Sequence, residues 1–126
     1  MTMQNPLARV RGMGSSMGGS HHWRSQRYSA LLLLVLTAWI LWLGVTLAGA
    51  DYTVARAAMA QPGNTAMAIL LAGSMFYHVQ LGLQVVIEDY VHSPAIEIAL
   101  YFISRAGALI GMALGIIHVL KLALGA

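Results

Sequence analysis

Three long apolar runs, at residues 28–50, 65–87 and 95–124, constrain this chain more than any other feature. Each reaches the roughly 20 residues that an α-helix needs to cross about 30 Å of hydrocarbon. With 59% of residues hydrophobic, 9% charged and a mean hydropathy of +0.72, lipid is the solvent of this chain. Three crossings leave little of the 126 residues for a separate soluble domain. The expected fold is therefore an all-α integral membrane protein of three transmembrane helices that buries its polar features against lipid, cofactor or other subunits.

The first two runs carry no formal charge, whereas the third holds Glu97, Arg105 and Lys121. Its uncharged centre, residues 106–120, is about 15 residues or roughly 22 Å of helix, so it spans if Arg105 reaches an interface or a polar partner. Gln61-Pro62-Gly63-Asn64 predicts a turn before the second span. Ser93-Pro94 supplies an N-cap residue followed by proline at the first helical position, and Glu97 then suits the positive end of the helix dipole. Gly107, Gly111 and Gly115 form a stripe at four-residue spacing that predicts close packing, within the chain or onto a partner.

Residues 1–27 differ in kind, with four arginines, no acid, and glycine and serine concentrated between positions 12 and 20. This composition predicts a flexible basic segment ahead of a three-span domain at 28–126. Four arginines before the first span against Arg56 alone in the following loop orient the amino terminus to the cytoplasm of a bacterium, or to the matrix of a mitochondrion. Ala48-Gly49-Ala50 mimics a signal-peptide cleavage site, but the apolar stretch before it is longer than a usual signal and two more spans follow. The absence of cysteine removes disulfides, iron–sulfur ligation and thioether-linked haem.

His78 sits near the middle of an uncharged run, residues 66–87. An imidazole at membrane depth needs a partner, which is either a neighbouring helix or a ligand. Ser74 and Gly82, one turn to each side on the same face, leave room for a flat ligand held by the imidazole, and a haem fits that description. His118, near the far end of the third span, is poorly placed as a second axial ligand, so another chain is the better source. His118 reads as an interfacial anchor beside Lys121. At the end of the second span Asp89 and Tyr90 pair a carboxylate with a phenol, a set that suits either a membrane interface or the hydrogen bonding and protonation of a quinone.

The run His78-Val79-Gln80-Leu81-Gly82 through Asp89-Tyr90-Val91, together with His22-Trp23 and Gln26-Arg27-Tyr28-Ser29-Ala30, resembles the smaller of the two membrane-anchor subunits of succinate dehydrogenase. The likeness covers nearly all of the chain after about Gly18. It implies a four-subunit succinate:quinone oxidoreductase: a flavoprotein subunit oxidises succinate, an iron–sulfur subunit carries the electrons, and two small anchors, a larger second membrane-anchor subunit and this one, hold a b-type haem and a ubiquinone site. By position, His78 resembles the axial haem ligand and Arg27 the arginine that neutralises haem propionates. Gly82 keeps the haem face clear, Tyr90 resembles the tyrosine that bonds the quinone, and Asp89 is its neighbour. No residue of this chain is expected to be catalytic by itself. Two other classes compete: a small transporter or channel subunit, against which the first span lacks an acidic residue, and a cofactor-free assembly factor, which leaves His78 and Gly82 unexplained.

Overall fold

The computed structural model describes residues 19–125, with side chains from 21 onward; most of the basic amino-terminal segment, including Arg9 and Arg11, lies outside the described residues. Four helices run in order: α1 (Gly19–Thr46), α2 (Tyr52–Met59), α3 (Pro62–Tyr90) and α4 (Pro94–Leu124). Among the described residues there is no strand. The long helices α1, α3 and α4 are each long and apolar enough to cross a membrane.

The boundaries depart from the apolar runs in ways that matter for the site. Helix α1 begins at Gly19, nine residues before the first apolar run, so the polar residues from His21 to Arg27 form its opening turns. It stops at Thr46, and Gly49 turns the chain with φ of +82°, a conformation glycine adopts without a Cβ clash. Helix α2 has no counterpart among the expected elements. At 8 residues it is about 12 Å long, too short to cross, and the sequence shows it only as an alanine-rich stretch after Asp51. The turn expected at positions 61–64 shrinks to the break around Ala60 and Gln61, because Pro62 already opens α3. Asn64 Nδ2 donates to the Ala58 carbonyl at 2.8 Å and Thr65 Oγ1 to that of Met59 at 2.7 Å, which satisfies carbonyls left over at the end of α2. Pro94 opens α4 as expected after Ser93, although the Ser93 hydroxyl makes no capping bond.

Helix α3 is the centre of the fold, with α1 and α4 packed on it and α2 bridging the start of α3 and the end of α4. The interior is thin. Leu36, Leu43, Ala68, Leu81 and Ile87 are its buried apolar residues, and α4 has none. Helices this apolar on all sides fit lipid or further helices around them. Trp42, 63% exposed, lies on the outer surface.

The glycine stripe of α4 divides between two surroundings. A Cβ at Gly111 would overlap the Phe76 ring, and one at Gly115 would stand 3.3 Å from Ala72 Cβ, so these two glycines let α4 approach α3. Gly107 has open space around it. Gly111→Ala is expected to cost about 1–3 kcal/mol through forced displacement of Phe76, read as a lowered Tm of the purified membrane assembly. Gly107→Ala is expected to leave this chain's own packing intact, so a loss of stability there would mark a helix from another subunit.

Candidate functional site

Because α1 runs polar for its first two turns and packs on α3, residues 22, 26 and 29 share one face and meet α3 around His78. The His78 ring is half-buried. Its Nδ1 stands 2.9 Å from Ser29 Oγ, and its Nε2 stands 3.4 Å from Gln26 Nε2. Among the described residues Ser29 is the buried polar one, and its hydroxyl also donates to the Gln26 carbonyl at 3.0 Å. With the hydroxyl proton on the Gln26 carbonyl, the hydroxyl accepts from Nδ1–H, the tautomer in which the Nε2 lone pair faces the Gln26 amide. The Nε2 contact is long, and Gln26 Oε1 is buried with no partner among the described residues. The amide of Gln26 is therefore weakly held beside the imidazole.

Gly82 does not present an open face. A Cβ there would meet Gln26 Nε2 at 3.8 Å, so the glutamine occupies the space the missing side chain leaves. The opposite neighbour, Ser74, bonds back to the Leu70 carbonyl at 2.7 Å and lines a cavity of about 570 Å³ with Ser29, Tyr28, Gly73 and Tyr77 between α1 and α3. Arg27 lies on another side of α1, its guanidinium 5.0 Å above the Trp23 ring in a cation–π contact.

A second, more polar cleft of about 400 Å³ opens toward the start of α1. His21, His22, Ser25, Gln80, Gln84 and Arg105 are among its lining residues. His22 Nε2 and Gln80 Nε2 are buried without partners among the described residues. Arg105, which the sequence leaves between a membrane interface and a polar partner, lines this cleft.

Asp89 and Tyr90 form the last turn of α3 rather than following it. Tyr90 is 78% exposed. The acid with partners inside the chain is the preceding one: exposed Glu88 accepts from Tyr101 at 2.7 Å and from Gln84 at 2.9 Å, tying α3 to α4 at the surface. Asp89 and Tyr90 are both exposed, and the continuous helix puts Tyr90 about 18 Å from His78 along the axis. Among the described residues no three ligand-type side chains converge on one point.

Sequence reasoning assigns no role to Ser29, Gln26, His22 or Gln80 beyond their place in the family-like strings. Their signal is present in Gln26-Arg27-Tyr28-Ser29-Ala30 and in the periodicity 22, 26, 29, but starting the first helix at position 28 masks it.

A family model described as the succinate dehydrogenase/fumarate reductase transmembrane subunit matches residues 1–114. The chain belongs to that family. Among its relatives, the succinate dehydrogenase hydrophobic membrane anchor subunit of Rickettsia bellii (strain RML369-C) is 32% identical over 85 residues, covering 68% of each chain. The subunit of the same name from Rickettsia conorii is 29% identical over 86 residues, again covering 68% of each. That of Rickettsia felis is 33% identical over 73 residues, covering 58% of this chain and 61% of the relative. No solved structure matches the chain significantly. The chain is accordingly a hydrophobic membrane-anchor subunit of the succinate dehydrogenase type, a multi-pass bacterial membrane protein that forms part of an oxidoreductase complex.

Proposed function

We propose that this anchor supplies His78 as one axial ligand of a b-type haem shared with the second, larger anchor subunit, and supplies Tyr90 and Asp89 to an adjoining ubiquinone site. The observation that carries the reading is the His78 arrangement. Ser29 holds Nδ1, and the Nε2 lone pair is turned toward an amide that is itself half unsatisfied. A metal-binding imidazole needs that tautomer and an orienting partner on its other nitrogen. The residues fit the haem on this ground: Gln26 gives up only a 3.4 Å contact when it swings aside, and Gly82 then leaves the ring's neighbourhood clear. One ligand from this chain is what a shared haem requires, so the lack of a three-ligand cluster among the described residues is no obstacle.

When bound, the haem supplies a one-electron station near the quinone. This chain's residues bind and orient. Arg27, with a planar fork suited to carboxylates, serves the propionates. The Tyr90 hydroxyl donates to a quinone carbonyl, and Asp89 beside it holds or passes a proton. The iron–sulfur subunit would deliver the electrons and the flavoprotein would oxidise succinate, so the chain is a non-catalytic part of succinate:quinone oxidoreductase in the tricarboxylic acid cycle and respiratory chain. The amino terminus then faces the cytoplasm, which sets Tyr90 on the side where a soluble electron donor docks.

A reduced-minus-oxidised optical spectrum of the purified complex tests the reading directly, with a b-type signal expected. Ser29→Ala sharpens it. Loss of an orienting partner is expected to weaken haem retention by about 10–100-fold, measured as haem per complex after dilution in detergent. Unchanged haem content and reduction potential in Ser29→Ala would remove Ser29 from the site, and a spectrum without haem in the wild-type complex would return the chain to a cofactor-free anchor.

A further inference from the structure

His22 Nε2 and Gln26 Oε1 are both buried without a hydrogen-bond partner among the described residues. The two residues lie one turn apart on the same face of α1, with Cβ atoms about 5–6 Å from each other, so a bond between their side chains needs only a change of rotamer. Their chemistry matches, since an imidazole Nε2–H donates and an amide oxygen accepts. We propose that Gln26 is a displaceable cover on the ligating nitrogen of His78, and that His22 is the partner that receives the Gln26 amide when the haem is bound. The inference rests on the haem reading of His78 and adds how that nitrogen is kept closed until it is used.

A simpler role for Gln26 is permanent bonding between α1 and α3, and its contacts do not fit that role. A glutamine amide offers two N–H donors and an acceptor oxygen, whereas here the nitrogen reaches His78 Nε2 only at 3.4 Å and the oxygen stays bare. Ser29 is the residue that bonds the two helices closely, with its buried hydroxyl 2.9 Å from His78 Nδ1. The notch at Gly82 is also roomier than the cover needs, since a Cβ there would stand in ordinary contact with the amide, 3.8 Å away. Glycine weakens a helix relative to alanine, so its place opposite Gln26 suits a state in which the amide has moved off.

The balance of unpaired atoms favours a cover that can leave. With the amide on His78, Gln26 Oε1 and His22 Nε2 are both unpaired. With the amide on His22, those two atoms satisfy each other, and the Gln26 nitrogen gives up its 3.4 Å contact. Without haem this exchange also bares His78 Nε2, so each arrangement leaves a pair of unsatisfied buried atoms and neither wins by much. With the imidazole nitrogen ligated, only the Gln26 nitrogen is left over and the open arrangement is preferred. The cleft of about 400 Å³ that His22 lines with Ser25 and Gln84 gives the side chains of this face room to rearrange.

The test uses the purified assembled complex and follows, by optical spectrum, the transfer of haem to graded excesses of apomyoglobin. His22→Phe keeps a ring and removes the donor, and it is expected to weaken haem retention about tenfold by leaving the displaced Gln26 oxygen unpaired. In a Gln26→Leu background, where no amide has to be received, the same substitution is expected to change nothing. His22→Gln keeps an N–H donor and is expected to restore retention. Equal effects of His22→Phe in the two backgrounds overturn the proposal, because His22 then acts through packing or on the haem itself. No effect in either background overturns it too, as does His22→Gln retaining haem no better than His22→Phe. Where His22→Phe prevents assembly, His22→Ala takes its place with the same expectations. A wild-type complex without haem removes the haem reading and this proposal together, whereas wild-type haem with additive His22 and Gln26 effects removes this proposal alone.

Discussion

His78→Ala is expected to abolish the b-type haem signal of the assembled complex. On the proposed reading alanine would remove one of two haem ligands; it also leaves Ser29 Oγ without its 2.9 Å contact to the imidazole, keeping only its bond to the Gln26 carbonyl. The loss is larger than that of a neighbouring contact because it alters iron coordination and the α1–α3 packing together. Haem per complex, measured chemically and by optical difference spectrum, is the direct readout. Succinate-to-quinone activity is a poorer one, since in the proposed complex electrons could pass from an iron–sulfur centre to quinone without the haem. A complex with normal haem content and an unshifted spectrum would assign His78 to helix–helix bonding with Ser29 and Gln26 instead. His78→Gln, which keeps a polar partner for Ser29, separates the two roles: assembly recovers while haem does not.

Tyr90→Phe is expected to slow quinone reduction by about tenfold or more, the equivalent of a lost hydrogen bond of about 1.5 kcal/mol. The side chain is 78% exposed and the ring is retained, so this substitution leaves the fold of the chain untouched. Succinate oxidation with an artificial acceptor that takes electrons before the membrane should stay normal. Asp89→Asn is expected to slow the same step through lost charge or proton delivery, whereas loss of Glu88, bonded to Tyr101 and Gln84 on the surface between α3 and α4, is expected to leave that step unchanged. Normal quinone kinetics and inhibitor sensitivity in Tyr90→Phe would leave Tyr90 as an interfacial anchor and transfer the quinone to the partner subunits.

The sequence by itself determined the solvent, the number of crossings and the order of the site residues along the second long span. Those properties depend on runs of composition and on the rise of a helix, which fix how far His78 lies from Tyr90 without any knowledge of neighbours. Proline at the start of α4 is legible for the same local reason. What tertiary structure decided is what each side chain meets. Gly82 reads as an open face in sequence, and packing fills it with Gln26 from α1, far earlier in the chain. Ser29 reads as a small residue in an apolar helix, and packing makes it the partner that orients His78. The polar first turns of α1 look like tail because hydropathy measures transfer to lipid, whereas their helical state is stabilised by a face of α3. The same holds for α2 and Arg56: a short alanine-rich connection carries no spanning signal, and only its seat against Gly125 and Lys121 gathers three basic side chains at one end of the bundle. Such contacts join residues far apart in sequence, and local pattern does not encode them.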